Sequence, residues 1–276
     1  MNPINVMVNG LPGNVATVIA RHIFEDHRFN LLSWSLTGAE IEASSCCIGD
    51  LEIKLIHPSE REAAAADHFG KLKPFIAVDY THPSAVNENA LFYAGNGLPF
   101  VMGTTGGDRE ALVDAVKGSL ASAVIAPNMA KQIVGFQAMM EWASQTFPGL
   151  FKGYSLTVRE SHQQGKADTS GTAKAMVGYF NDLGIEFDAG RIQMERNPEV
   201  QSKEWGIPEA FLEGHGWHTY TLDSDDRTVR FAFTHNVNGR EIYARGTMDA
   251  IVYLAAKVRA GSQGEVFSMI DVLKGK

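Results

Sequence analysis

The sequence is poor in cysteine, and its only two cysteines, Cys46 and Cys47, stand side by side. Adjacent cysteines are too close for an ordinary disulfide bond or for two zinc ligands at the usual spacing. We therefore expect reduced thiols, no metal site and a cytosol-like compartment. That compartment is the cytoplasm, or the plastid stroma if a transit peptide has been removed.

The sequence also lacks a long apolar run and an excess of positive charge. No window is long and apolar enough to span a bilayer, so a membrane role is not expected. The formal net charge of -8 repels phosphate backbones, and no cluster of lysine and arginine offsets it locally. Nucleic acid is therefore not an expected partner.

What remains is the composition of an ordinary globular protein, with 45% hydrophobic and 20% charged residues. A length of 276 residues predicts two domains.

The first half of the chain alternates strand-like and helix-like segments. "INVMVNG" predicts a strand, and "NVATVIARHIFED" after it has helical spacing. The turn between them has the form G-x-x-G-x-x-A, in which glycine lets a pyrophosphate approach the backbone and the helix N-terminus. An ordinary glycine turn in another βα unit is the alternative. The turn runs through Gly10, Leu11, Pro12, Gly13, Asn14 and Val15 to Ala16.

Further βα units follow and predict a parallel, doubly wound sheet of the α/β class. Their loops "DYTHP", "GTTGG" and "APNMA" lie at predicted strand ends, where such sheets bind ligands. The second predicted strand, "FNLLSWSLTG", carries Ser35 and Thr37 and no acid before Glu40. Hydroxyls tolerate a 2′-phosphate that an acid would repel, so NADPH is favoured and NADH stays possible.

In the second half of the chain, the alternation of strands and helices ends after a predicted helix, "KQIVGFQAMMEWASQTF". Aspartates and an Asn-Gly step predict hairpins, and the "TAKAMVGYFNDLG" helix is expected to pack against a mostly antiparallel sheet. A last helix, "TMDAIVYLAAKVRAG", is expected to return to the nucleotide domain. The predicted strands are "YSLTVRES", "RIQMER", "HTYTLDSDDRTVRFAFTH" and "NGREIYARG".

One loop, "ESHQQGKADTSGTAKAM" at residues 160–176, concentrates reactive side chains between a strand and a helix. His162 can donate a proton near neutral pH, and Lys166 supplies positive charge. Ser170, Gly171 and Thr172 open the helix, where a hydroxyl and N–H groups form an anion site. The alternative is a plain helix cap with His162 and Lys166 in solvent.

These motifs resemble the 4-hydroxy-tetrahydrodipicolinate (dihydrodipicolinate) reductases, and "APNMAKQ" with "ESHQQGKADTSGTAKA" is most similar to the plant-type branch. The resemblance covers nearly the whole chain. It implies a Rossmann domain at residues 1–130, completed by a C-terminal helix at 246–276. It also implies a substrate-binding and oligomerisation domain of α+β type at 131–245, with an open mixed sheet. A homo-oligomer is expected, with a dimer favoured and a tetramer possible.

The resemblance also implies roles for single residues. His162 matches the proton donor and Lys166 the catalytic lysine, and Arg240 resembles an arginine near the substrate site. Gln163 replaces a second histidine, and the loop lacks the proline that many bacterial members have before Ser-Gly-Thr. The implied substrate-binding residues are Gln163, Ser170, Gly171, Thr172 and Arg240. The implied cofactor-binding residues are Gly10, Leu11, Pro12, Gly13, Asn14, Val15, Gly103, Thr104, Thr105, Ala126, Pro127, Asn128 and Met129, to which the second strand adds Ser35 and Thr37.

The resemblance thus implies an NADPH-dependent reductase of dihydrodipicolinate in lysine and diaminopimelate biosynthesis. The hydride goes to ring carbon C4 of this dicarboxylate, and His162 is the proton donor. One alternative is an NADPH-dependent reductase of another cyclic imine or unsaturated acid. A second alternative is a non-catalytic NADP-binding sensor, which would have no need of an acid at His162.

Overall fold

A computed structural model of the chain describes residues 2–70 and 74–275. Residues 1, 71–73 and 276 lie outside the described residues. They belong to the predicted ranges 1–130 and 246–276. The chain divides into two compact units. The first unit comprises residues 1–131 and 241–276, and the second comprises 132–240. The predicted boundaries were 130/131 and 245/246.

The described elements in the first half of the chain form strand–helix units, except that four consecutive strands follow the first helix. The strands are β1 (Ile4–Asn9), β2 (Phe29–Leu31), β3 (Trp34–Leu36), β4 (Ser45–Ile48), β5 (Leu51–Ile56), β6 (Ile76–Asp79), β7 (Phe100–Met102), β8 (Ala123–Ile125), β9 (Tyr154–His162), β10 (Gln193–Glu195), β11 (His215–Ser224), β12 (Arg230–Asn238) and β13 (Val266–Phe267). The helices are α1 (Asn14–Glu25), α2 (Arg61–Ala64), α3 (Val86–Gly95), α4 (Arg109–Lys117), α5 (Lys131–Thr146), α6 (Gly171–Asp182), α7 (Pro198–Lys203), α8 (Glu241–Arg259) and α9 (Met269–Lys274).

The first unit is built on a parallel sheet with strand order β13-β8-β7-β6-β1-β2. Its central strands are apolar on both faces, as shown by the fully buried Val6, Met7 and Val8 of β1. Continuous apolar runs of this kind are typical of parallel sheets covered by helices on both sides. The predicted α/β, doubly wound class is confirmed.

The predicted second strand is divided between two sheets. β2 pairs with β1, whereas β3 joins a small sheet of order β3-β5-β4. The segment from β2 to the end of β3 still runs beside β1, because Leu32 N–H donates to the Val6 carbonyl and Gly10 N–H donates to the Leu36 carbonyl. Since β3 and β5 are parallel, their carboxyl ends lie side by side near the glycine turn.

The second unit contains a sheet of order β10-β9-β11-β12. β10 and β9 are parallel, and the β9-β11 and β11-β12 pairs are antiparallel, so the sheet is mixed as the resemblance implied. One face of α6 packs on this sheet: Ala173, Met176, Val177 and Phe180 share a buried cluster with Val158 and Tyr220. Their 3- and 4-residue spacing puts them on one side of the helix.

Two sequence expectations about the end of the chain were wrong. The segment "NGREIYARG" is not a strand after its Asn-Gly step, because α8 begins at Glu241 and buries residues at helical spacing. The expected single helix at 246–276 is instead a helix, a short strand and a second helix. Gly261 and Gly264 have positive φ angles of 92° and 65°, which end α8 and turn the chain into β13 beside β8.

Candidate functional site

The glycine turn after β1 is held by one hydroxyl group of β3 and one from the residue that follows it. Ser35 Oγ lies 3.3 Å from the N–H of Leu11 and accepts from it, and the Thr37 hydroxyl donates to the Leu11 carbonyl at 2.7 Å. A Cβ at Gly10 would overlap the Tyr80 carbonyl, and a Cβ at Gly13 would press on the Gly10 carbonyl. Both glycines are therefore required by close backbone packing. Asn14 and Val15 open α1, as expected for a dinucleotide turn.

A buried carboxylate ties the other strand ends together. Asp79, at the end of β6, is fully buried and accepts hydrogen bonds from Thr81, Asn89, Tyr93 and Thr104. These donors lie on three different segments, so one carboxylate fixes the "DYTHP" loop against the "GTTGG" loop. Buried charge without such donors would be strongly unfavourable.

A cleft of about 670 Å³ opens at this edge of the first unit. Its lining fits an adenine dinucleotide in one respect, because the glycines leave backbone exposed where side chains would fill the space. Among the predicted cofactor residues, Gly10, Gly13 and Thr37 line this cleft. The Ser35 side chain does not, since its hydroxyl is fully buried and engaged with backbone groups.

Leu11 and Pro12 lie in the glycine turn between β1 and α1, and the predicted cofactor residues at 103–105 and 126–129 follow the neighbouring strands β7 and β8. Gly103 lacks a side chain where the Tyr80 ring packs, and the Thr104 hydroxyl donates to Asp79. Ala126 and Met129 are buried, and the Asn128 side chain caps the Ala130 N–H. Pro127 is exposed and Leu11 is buried. The roles of these residues stay predictions.

In the second unit, a buried ion pair organises the loop that follows β9. Glu160 is fully buried and pairs with Arg196 at 2.5 Å, and it also accepts the Ser170 N–H at 3.1 Å. The Arg196 guanidinium further donates to the carbonyls of Lys166 and Asp168, at 2.8 and 3.3 Å. Arg196 thus fixes both the carboxylate and the loop backbone.

His162 is half-buried at the end of β9, in a row of histidines. Its Nδ1–H donates to the His215 carbonyl at 3.1 Å, which leaves Nε2 to face His218 Nε2 at 3.3 Å. The His218 ring stacks on His235 with centroids 4.6 Å apart. Burial lowers the pKa of His162 to about 4, against an opposing effect of Glu160, and lowers the pKa of His218 to about 2. The rings are therefore neutral at pH 7.

The other predicted substrate residues lie in the loop after β9, in the first turn of α6 and after β12. The Lys166 ammonium pairs with the exposed Asp168 at 2.6 Å, and Ser170 is buried with no hydrogen bond from its side chain to the start of α6. Gly171 and Thr172 form the first turn of α6, whose N–H groups have no intrahelical acceptors. Gln163 is half-buried in the loop, and Arg240 lies against Gly214, just before β11.

Sequence reasoning missed Arg196, His218 and Gln201. Gln201 is buried on α7 and donates to the His162 carbonyl at 2.7 Å. These residues lie 34 to 56 positions after His162 in the sequence, and no local sequence pattern predicts contacts over that separation. Glu160, His162 and His218 also have possible metal-ligand atoms within 4.8 Å of one another. Since Arg196 already neutralises Glu160, the absence of a metal stays our prediction.

Two family models cover most of the chain. Residues 4–129 match the dihydrodipicolinate reductase N-terminus, and residues 133–273 match the C-terminus of the same family. The chain belongs to the dihydrodipicolinate reductase family. The predicted family and enzyme class are thereby confirmed: the protein is an NAD(P)H-dependent oxidoreductase.

Curated relatives from plants extend this likeness over the whole chain. The chain is 45% identical to 4-hydroxy-tetrahydrodipicolinate reductase 2, chloroplastic, of Arabidopsis thaliana, with 99% of the chain and 78% of the relative covered. It is 42% identical to the probable rice 4-hydroxy-tetrahydrodipicolinate reductase 2, chloroplastic (Oryza sativa subsp. japonica), with 98% and 82% covered. The predicted similarity to the plant-type branch is confirmed.

A solved structure supports the fold. Dipicolinate-bound dihydrodipicolinate reductase from Paenisporosarcina sp. TG-14 aligns with a TM-score of 0.65 at 17% identity and covers 96% of this chain and 97% of its own. At that identity the likeness shows the fold alone. Within residues 2–70 and 74–275, no helix combines the length and apolar character needed to cross a membrane.

Proposed function

We propose that the chain reduces dihydrodipicolinate to tetrahydrodipicolinate with NADPH, and that His162 donates the proton. The reductase role in lysine and diaminopimelate biosynthesis follows from family membership and from plant relatives at 45% identity. When bound, the nicotinamide cofactor supplies a hydride, for which ring carbon C4 is the proposed acceptor. The assignment of residues and the choice of NADPH are proposals.

One observation carries the residue assignment: Glu160 joins the start of α6 to the histidine row. Its Oε2 accepts the Ser170 N–H and lies 3.7 Å from His218 Nε2, which in turn contacts His162. An anion at the N-terminus of α6 would therefore lie near the Nε2 edge of His162. Helix N-termini favour anions, and the substrate has two carboxylates to offer.

The proton must be taken up when substrate binds, because burial keeps the free His162 ring neutral. A bound dianion close to the ring stabilises the imidazolium form and raises the pKa of His162. With Nδ1–H held by the His215 carbonyl, the added proton lies on Nε2, and the bound substrate replaces His218 Nε2 as the partner of that atom. Lys166 holds a carboxylate once it leaves Asp168, and Thr172 supplies N–H and hydroxyl donors.

The main alternative is the same chemistry on another cyclic imine or unsaturated acid. A non-catalytic sensor is opposed by the buried network that orients His162, since nucleotide binding in the other unit requires none of it. Homo-oligomerisation, with a dimer favoured, is also a proposal. So is location in a cytosol-like compartment; the plant relatives are chloroplastic by name.

The test is oxidation of NADPH followed spectrophotometrically with enzymatically generated substrate. We expect oxidation that depends on both the protein and the substrate-generating enzyme. Binding of NADPH without oxidation would contradict the proposal and favour the sensor. Oxidation with another cyclic imine but not with this substrate would support the first alternative.

A further inference from the structure

Among the described residues that line the cleft beside the glycine turn, Arg61 is a cation that the proposed function has not used. Arg61, the first residue of α2, lines this cleft together with Thr37 and Gly38. α2 follows β5, and β5 runs parallel to β3, so Arg61 and Thr37 both come after the carboxyl ends of adjacent strands. The end of β3 is where an adenosine ribose lies in a dinucleotide-binding sheet.

The Arg61 guanidinium is held in place without having its donors occupied. It lies over the Phe92 ring at 5.4 Å, and its side chain is 23% exposed. The nearest carboxylate oxygens, of Glu62 and Glu88, are each 3.9 Å away and belong to well-exposed side chains. A separation of 3.9 Å is too long for a hydrogen bond. Within the described part of the chain, the guanidinium makes no hydrogen bond.

The hydroxyls of Ser35 and Thr37 cannot supply the same recognition. Ser35 is buried and bonded to backbone, and the Thr37 hydroxyl donates to the Leu11 carbonyl. Glu40 also lines the cleft, and its carboxylate lies against Gly38, where it can accept from a ribose 2′-hydroxyl and repel a 2′-phosphate. Nucleotide preference therefore depends on whether a cation offsets this carboxylate.

We propose that Arg61 binds the 2′-phosphate of NADPH and that it, rather than Ser35 or Thr37, sets the preference for NADPH over NADH. The guanidinium offers paired donors that match a phosphate, and its fixed position on Phe92 limits the entropy lost on binding. This inference rests on the proposed NADPH-dependent function, but it concerns binding in the first unit alone.

The test is calorimetric titration with two probes, 2′,5′-ADP and 5′-AMP, which differ in the 2′-phosphate. We expect the wild-type protein to bind 2′,5′-ADP more tightly. Arg61→Ala should weaken the binding of 2′,5′-ADP and of NADPH by roughly 10- to 100-fold, which is the range for loss of charge-assisted hydrogen bonds. The same variant should change the dissociation constants of 5′-AMP and NADH by less than about 3-fold, which is close to the error expected when a mutation does not touch the ligand. Arg61→Lys should recover part of the difference.

Arg21→Ala is the matched control, because Arg21 is an exposed arginine of α1 outside the cleft. It removes the same charge, so it should leave the preference for 2′,5′-ADP unchanged. An Arg61→Ala protein with wild-type affinity for 2′,5′-ADP would overturn the inference, even if the enzyme reduces its substrate. Conversely, a loss of affinity confined to 2′,5′-ADP and NADPH would support it even if no turnover is found.

Discussion

Arg196 and Glu160 form the contact on which the geometry of the β9 loop depends. Glu160 has no exposed surface, so its charge is stabilised only by Arg196, the Ser170 N–H and nearby polar groups. Removing one member of a buried pair leaves an uncompensated charge, which typically costs about 3–5 kcal/mol. The same change releases the carbonyls of Lys166 and Asp168, so loop order and stability are coupled here.

We therefore expect Arg196→Ala to lower the free energy of unfolding by about 3–5 kcal/mol in urea titrations. It should also raise the KM for the dicarboxylate substrate. Arg28→Ala is the matched control, because Arg28 forms an ion pair with Asp26 at the surface of the first unit and its loss should change little. Equal unfolding free energies for the two variants would contradict the role given to the buried pair.

The histidine row predicts a particular dependence of stability on pH. His162 and His235 have pKa values lowered to about 4 by burial, whereas an unfolded histidine titrates near 6.5. Between these values the unfolded chain binds more protons than the folded protein, so stability falls as pH is lowered from about 6.5 to 4. Above pH 6.5 this contribution is constant.

Thermal unfolding between about pH 7.5 and about pH 4.5, with no ligand present, measures this effect, because the interval covers most of the range between the folded and unfolded histidine pKa values. We expect Tm to decrease mainly below about pH 6.5. His235→Phe keeps an aromatic ring beside His218 and removes one titrating group, so its Tm should decrease less steeply over the same interval. A wild-type Tm that is flat across this interval would show that the histidines are not neutral and buried.

Glycine is required at one position in helix α8 and is only tolerated at another position in helix α6. Gly246 lies in α8, where a Cβ would overlap the Met129 carbonyl oxygen in the predicted cofactor loop. Gly178 lies in α6 with open space around it. The two residues share helical conformation, so they differ mainly in what surrounds them.

Gly246→Ala should destabilise the protein by about 1–3 kcal/mol or more, because α8 or the loop has to move. Gly178→Ala should instead stabilise it by up to about 1 kcal/mol through helix propensity. Urea unfolding measures both changes, and titration with NADPH shows whether the "APNMA" loop moved. A neutral effect of Gly246→Ala would mean that α8 does not pack on this loop as described.

Much of the element order could be predicted from the sequence, because β1, β6 and β7 are short apolar runs that end at turn residues. The β11-β12 hairpin could be predicted from its aspartate-rich turn. The break between β2 and β3 could not, since the apolar run continues through it and the division depends on which sheet each half joins. Within the site, His162 and Lys166 could be named from one loop, whereas Arg196 follows β10 and His218 lies on β11, so only folding brings them there.

β12 is an edge strand of the second unit's sheet. Its first half bears apolar surface, with Phe231 42% exposed. Edges of this kind are commonly covered by another chain, which agrees with the expected homo-oligomer. We predict a dimer in light scattering at micromolar concentration, and a shift toward monomer for Phe231→Glu. A wild-type protein that is monomeric under these conditions would contradict this prediction.

The proposed chemistry depends on proton donation by His162, and steady-state kinetics of the His162→Ala variant measure that contribution. We predict a kcat about 10²- to 10⁴-fold below wild type with a much smaller change in KM, because the proton moves only in the transition state. NADPH titration should give wild-type affinity, which would show that the protein is folded and that only the chemical step is impaired. A His162→Ala protein with near-normal kcat would contradict the assignment of the proton donor.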